Sequence, residues 1–245
     1  MSQQRKTLVT IATYNERENL PSLVEAIFEQ LPAADLLVVD DGSPDGTGQW
    51  CDEYGRTDPR LRCLHRSGKL GLGTAIVAAM RYAVEHDYDY MLNMDADFSH
   101  HPRYLPAITA AIDPPNGPPA DVVIGSRYVA GGGVEGWPLK RRLMSAAVNL
   151  YARLLLGLRP HDCSGGYRCY RVALLRKLDA DAIISRGYSF QEEVLWRLKR
   201  LGAYVREVPI IFADRRLGTS KINGREAWAA LWILFRLGIN NWLHL

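Results

Sequence analysis

Long apolar runs are missing from this chain. The longest near its end, Trp228 to Phe235, stops at Arg236, well short of the ~20 residues that a bilayer-spanning helix requires. Neither sign of charge is in large excess, with 30 basic against 27 acidic residues and a net charge of +3, so there is no electrostatic argument for nucleic acid as a partner. Cysteine is scarce: Cys51, Cys63, Cys163 and Cys169 have spacings that match no zinc pattern, and free thiols in a reducing compartment are expected. The opening MSQQRKTLVTIATY has neither an apolar h-region nor a cleavage site, which makes secretion unexpected and a cytosolic location the expectation. The segment GKLGLGTA follows neither the GxxxxGK[ST] nor the GxGxxG order, which disfavours kinase or NTPase phosphoryl chemistry. No internal repeat or low-complexity tract is visible.

What is present is enough apolar residue, 47% of 245, to bury a substantial core within one elaborated domain. Through the first half, β-branched runs alternate with helical patterns: TLVTIATY, LPSLVEAIFEQL, LLVVDD, a helical stretch at 48–54, LRCLHR, GLGTAIVAAMRYAVEH and YMLNMD. Strand and helix in alternation predict an α/β class, a mainly parallel sheet with helices on both faces. After the PPNGPP loop comes the short strand VVIGSRY, then the glycine-rich VAGGGVEGW at 129–137, expected to be a mobile lid. A helix opening on Lys140-Arg141-Arg142 runs on to about Leu156.

In such sheets ligands gather at the carboxyl ends of the strands, where loops and helix N-termini present free N–H groups. All four predicted strands of the first half end in polar residues: Tyr14-Asn15-Glu16, Asp40-Asp41-Gly42-Ser43, Arg66-Ser67-Gly68-Lys69 and Asp95-Ala96-Asp97. Two carboxylates one residue apart alternate in direction within a strand but can converge at a turn. Oxygen ligands with no cysteine beside them favour Mg²⁺ or Mn²⁺ over zinc and leave positions open for phosphate oxygens. Lys69, Arg127, Arg141, Arg215 and Lys221 are candidate phosphate partners. His100 and His101 are alternative ligands, although adjacent residues diverge and a histidine before Pro102 also suits a turn. The tail, WAALWILFRLGINNWLHL, reads as an amphipathic helix that either lies in a membrane interface or packs on the domain.

Taken together, TYNERENL (13–20), VVDDGSPDGT (38–47), GKLGLGTA (68–75), MDADFSHHP (94–102), GSRY (125–128), GGVEGWPLKRRLMS (132–145), SGGYRCYR (164–171), GYSFQEE (187–193) and EVPIIFADRRLGTSK (207–221) resemble the dolichol-phosphate mannosyltransferases. These are inverting glycosyltransferases of the GT-A fold. The SHHP ending and the lack of spanning helices look most like the soluble catalytic-subunit type. The resemblance divides the chain into a catalytic domain, 1–224, and a C-terminal amphipathic helix, 225–245. It implies transfer of mannose from GDP-mannose to dolichyl or polyprenyl phosphate at a membrane surface, with small membrane subunits as possible partners. The implied location is peripheral on the cytosolic face, of the endoplasmic reticulum in a eukaryote or the inner membrane in a bacterium.

By the same resemblance, Ala12, Tyr14, Glu16, Val39 and Asp41 line the nucleotide pocket, and Asp95, Ala96 and Asp97 hold the cation and diphosphate with Ser99 in the metal shell. Arg215 and Lys221 reach the donor, Arg127, Arg141 and Ser145 receive the lipid phosphate, and Asp97 and Arg127 carry catalysis. The chain departs from the pattern at Ala12, where proline is common, at Ala146, where a basic residue is usual, and at Thr219, where glutamate is frequent. Two other readings are a UDP-glucose-dependent transferase acting on the same lipid and, from a different class, a non-catalytic subunit that binds nucleotide or lipid phosphate.

Overall fold

The computed structural model describes residues 5–187, 189–214 and 224–243. Its first half alternates β1 (Thr7–Thr13), α1 (Leu20–Gln30), β2 (Asp35–Asp40), α2 (Thr47–Thr57), β3 (Leu61–His65), α3 (Leu72–Glu85) and β4 (Tyr90–Met94). A short 3₁₀ turn at Pro102–Tyr104 leads to α4 (Leu105–Ala110), then β5 (Val122–Ser126), β6 (Gly133–Glu135) and α5 (Leu139–Leu156). The chain continues with β7 (Arg168–Arg171), α6 (Val172–Leu175), α7 (Phe190–Arg200), β8 (Val205–Pro209), β9 (Ile211–Ala213) and α8 (Gly224–Trp242).

Seven strands form one sheet in the order β3-β2-β1-β4-β7-β5-β8. All pairings are parallel except those of β7, which runs antiparallel to both β4 and β5. The alternation along β2 explains why its run is apolar throughout: Leu36 and Val38 face the layer of α1, α2 and α4, while Leu37 and Val39 face that of α3 and α7. A strand covered on both faces must be apolar on both. Each such side chain removed from water contributes ~1.5–3 kcal/mol before chain entropy is charged against it.

The α/β class and the parallel sheet are borne out. Two features were not legible. The strand β7 is short and carries Arg168 and Arg171, which disguise it as a loop. Arg168 is fully buried, its guanidinium donating to the carbonyls of Gly165, Gln191 and Cys163. The expected lid over 129–137 contains β6, which pairs in parallel with β9, Gly133 beside Ile211 and Glu135 beside Ala213. Its glycines also serve close approach: a Cβ on Gly132 would lie 2.5 Å from the Ser126 carbonyl oxygen.

Candidate active site

At the carboxyl ends of β1 and β2, two loops are laced together by side-chain acceptors. The N–H groups of Asn15, Glu16 and Arg17 donate to Ser43 Oγ, Thr47 Oγ1 and Asp45 Oδ2. Asp40 accepts from Thr13 Oγ1 and from the N–H and Oγ of Ser43. Asp41 lies 2.8 Å from Arg66 Nη1 and accepts from the Leu70 N–H at 3.2 Å. The loop after β3 is thereby tied into the same edge. Tyr14 is exposed at the rim, with Lys69 Nζ 4.8 Å from its ring centre. Glu16 holds the Asn19 amide, and Ala12, half-buried, pairs with Val39 across the strands. The Val39 side chain is packed in the core and does not reach the cleft surface.

Beyond β4 the chain turns sharply, with Phe98 at φ 61°, and this turn sets the two carboxylates. Ser99 donates both its N–H and its hydroxyl to Asp97 Oδ1, at 3.1 and 2.5 Å, so Ser99 orients Asp97. The Asp95 side chain is 35% exposed, whereas Ala96, Asp97 and Ser99 are buried. His100 Nδ1 accepts from the Asp95 N–H at 3.0 Å, and its ring is buried between Tyr167 and Phe212. The His101 Nδ1 accepts from the Arg103 N–H and caps the 3₁₀ turn. Both histidines therefore spend a ring nitrogen on backbone. Asp95 and Asp97 offer the hard oxygen donors that suit Mg²⁺ or Mn²⁺.

The second half of the cleft is cationic and aromatic. Arg127 forms a fork with Asp162, Nε to Oδ2 and Nη2 to Oδ1 both at 2.7 Å, and adds Ser164 Oγ at 2.8 Å. Asp162 is fully buried. Burial works to raise its pKa, but the guanidinium and the N–H groups of Arg127 and Gly165 outweigh it and hold the carboxyl below the usual range. Arg141 pairs with Asp214 at 3.0 Å. Both guanidiniums lie on the Trp137 ring, Arg141 at 4.1 Å and Arg127 at 5.5 Å. Ser145 Oγ accepts from the Tyr128 hydroxyl at 2.7 Å, and Arg127 lies 5.3 Å from that Tyr128 ring. The three residues expected to receive the acceptor phosphate thus meet in one cluster. Arg215 and Lys221 fall outside the described residues.

Gly165 and Gly166 join the halves. A Cβ on Gly166 would sit 3.5 Å from Gln191 Nε2 and 3.6 Å from Asp95 Oδ1, and one on Gly165 would sit 3.1 Å from Asp162 Oδ1. The carboxylate turn and the Arg127 fork therefore stand against neighbouring residues of one strand of backbone. Sequence reasoning did not single out Asp162, Asp214, Gln191, Tyr128 or Trp137, and it placed Arg66 at a strand end of the site without its partner Asp41. The one usable signal was the excess of arginines near the site, each of which needs a counter-ion if buried. A hollow of about 720 Å³ lined by Thr7, Leu31, Tyr90 and Pro106 opens at the opposite end of β1 and β4, away from this chemistry.

The model of glycosyl transferase family 2 matches residues 8–179. The chain is 45% identical over 236 residues to the polyprenol monophosphomannose synthase of Mycolicibacterium smegmatis, covering 96% of this chain and 88% of that one. It is 45% identical over 234 residues to the undecaprenyl-phosphate mannosyltransferase of Micrococcus luteus, covering 96% and 94%. Among solved structures, glucosyl-3-phosphoglycerate synthase from Mycobacterium tuberculosis, in complex with Mn²⁺, UDP and phosphoglyceric acid, superposes with a TM-score of 0.65 at 19% identity, over 97% of this chain and 78% of that one. A mannosyltransferase from Pyrobaculum calidifontis in complex with GDP-Man and Mn²⁺ gives a TM-score of 0.58 at 14% identity, over 98% and 72%. These two structural likenesses speak to the fold.

Proposed function

This chain belongs to glycosyl transferase family 2 and is a glycosyltransferase, and we propose that it transfers mannose from GDP-mannose to the phosphate of a polyprenyl phosphate, with inversion. The observation that carries this reading is the junction at Gly165-Gly166, which sets the Asp95 carboxylate beside the Asp162–Arg127 fork. Donor and acceptor groups of opposite charge then face a shared space. The names of the two 45%-identical relatives supply the sugar and the lipid.

The oxygen donors of Asp95 and Asp97 fit a hard divalent cation, Mg²⁺ or Mn²⁺, which when bound supplies charge neutralisation for a departing diphosphate. Ser99 keeps Asp97 aimed, and the loops after β1 and β2 hold the nucleotide. The acceptor is already an anion, so its phosphate oxygen attacks the anomeric carbon with no proton to remove, and the bond to the GDP oxygen breaks on the opposite side. The protein contributes position and charge. Among the described residues Arg127 Nε and Nη2 are committed to Asp162 and Ser164, and no hydrogen bond engages Nη1. That free edge, with Arg141 and Ser145, is the receiving face for the lipid phosphate. A single displacement inverts the anomeric centre.

The lipid must be met at a membrane. No helix among the described residues is long and apolar enough to cross one. Leu139, Leu143, Leu150 and Leu154 form an exposed stripe on α5, and Trp228, Trp232, Phe235, Ile239 and Trp242 form one on α8. The two helices pack together where Gly238 approaches Leu155, while Leu234 and Leu237 are buried. So α8 both docks on the domain and leaves an aromatic face outward, which suits peripheral binding at an interface. The test offers labelled GDP-mannose and UDP-glucose in parallel to dolichyl and undecaprenyl phosphate with Mg²⁺ or Mn²⁺. Lipid-linked label is expected from GDP-mannose; label from UDP-glucose alone refutes the assignment.

A further inference from the structure

Away from the cleft, the edge strand β3 and the helix α2 that covers it bring together a second set of ligand-type side chains. Cys63 and His65 are two apart on β3 and so project from the same face. Asp52 on α2 meets them: His65 Nε2 lies 2.9 Å from Asp52 Oδ1, and Cys63 Sγ lies 3.9 Å from His65 Nδ1. One ligand atom from each of the three lies within 4.8 Å of the others. The Cys51 thiol, buried on the facing side of α2, is near enough to Cys63 to push the pKa of the Cys63 thiol up together with burial. Gly48 makes the arrangement possible, since a Cβ there would stand 2.9 Å from His65 Cε1 and 3.0 Å from Nδ1.

We infer that Asp52, Cys63 and His65, with the Cys51 thiol beside them, form a binding site for a borderline-soft divalent metal ion of the zinc class. The donor chemistry separates it from the carboxylate turn after β4. A thiolate, an imidazole and a carboxylate select zinc, whereas oxygen donors alone select Mg²⁺ or Mn²⁺. Zinc bonds of about 2.0–2.3 Å put tetrahedral donors roughly 3.3–3.8 Å apart, a spacing that small side-chain rotations reach from the present one. His65 and Asp52 are each half exposed, so the ion has an entry path. Cys spacing alone does not disclose the site, because one strand and one facing helix supply the donors in place of a paired C-x₂-C knuckle. His65 also pairs in register with Asp40, so an occupied site would clip α2 and β3 together directly behind the Asp40-Asp41 turn.

Cobalt(II) tests this on the full-length chain, freed of metal with a chelator and then saturated with Mg²⁺ to fill the carboxylate turn. Near-equimolar cobalt uptake with a thiolate-to-cobalt charge-transfer band is expected, and added Zn²⁺ should displace it. Cys63→Ser and His65→Ala should each remove the band and weaken zinc binding by at least about 100-fold, whereas Asp97→Asn should leave both unchanged. Circular dichroism of the metal-free variants checks that they are folded. Absence of the band from the folded wild-type protein, or its persistence in Cys63→Ser, overturns the assignment.

Discussion

On the β1–β4 side of the cleft the carboxylates draw on the N–H and hydroxyl groups of their own turns, Asp97 on Ser99 and Asp40 on Ser43, with Thr13 and the Arg66 loop adding ties from neighbouring strands. On the β5–β9 side they are guanidiniums held by carboxylates far along the chain, Asp162 lying 35 residues from Arg127 and Asp214 lying 73 from Arg141. A carboxylate can be oriented by the N–H and hydroxyl of its own turn. A guanidinium has only donors and must find an acceptor elsewhere in the fold. The donor side is therefore a set of local turns on a parallel sheet, and the acceptor side is a tertiary construction that exists only when β7, α5 and β9 are in place.

The comparison is broken most severely at Asp162. Asp162→Asn leaves the shape but removes the counter-charge of a buried Arg127, an arrangement that costs about 3–5 kcal/mol when one partner is lost. Denaturant melts should show that loss. The same variant, assayed well below its melting temperature, should raise KM for polyprenyl phosphate more than KM for the nucleotide sugar. An equal rise in both would show that the fork serves the whole cleft and not the acceptor side.

Next in size is the donor side. Asp97→Asn keeps the hydrogen bond from Ser99 but removes one charge from the carboxylate pair, and a loss of kcat on the order of 10²–10³ is expected without a change in melting temperature beyond a degree or two. His101→Ala, on the same loop, removes the cap on a three-residue turn and the edge contact with the Phe98 ring, and should leave most of the activity. Steady-state assays of both variants separate a group that acts on the substrate from one that shapes the loop, and equal losses would contradict that division.

This asymmetry also governs what could be read from residues in order. Strand alternation, strand ends and the D-x-D turn are local, so β1 to β4 and the positions of Asp41, Asp95 and Asp97 were legible. The convergence of Arg127, Arg141 and Ser145 on Trp137 and Tyr128 was legible only through a family resemblance, because no spacing rule links 127, 137 and 145. Asp162 and Gln191 escaped because their work is done around β7, a strand whose two arginines hide its pattern, and Asp214 because it meets Arg141 of α5 only once β9 is in place. The glycine run at 129–137 suggests a mobile loop from sequence alone, and the tertiary use of its missing side chains, Gly132 against Ser126 and Gly133 beside Ile211 of β9, has no local signature.

At the seam between the halves stands Glu192, fully buried in the first turn of α7 and within the field of Arg168, Asp162 and Arg127. Burial raises its pKa from 4.5 to about 7, with Arg168 and Arg127 only partly offsetting it. The sign follows directly: between pH 4.5 and 7 the folded chain keeps a proton that the unfolded chain has lost, so stability falls across that window as pH rises and levels off above it. The full term is on the order of 3 kcal/mol. Glu192→Gln removes the titration while keeping the shape. The difference in unfolding free energy between the variant and the wild-type protein should therefore grow in the variant's favour from pH 5 to 7 and stay constant beyond. A difference that does not change with pH would mean that Arg168 holds Glu192 ionised throughout, and that the seam is a salt-bridged joint.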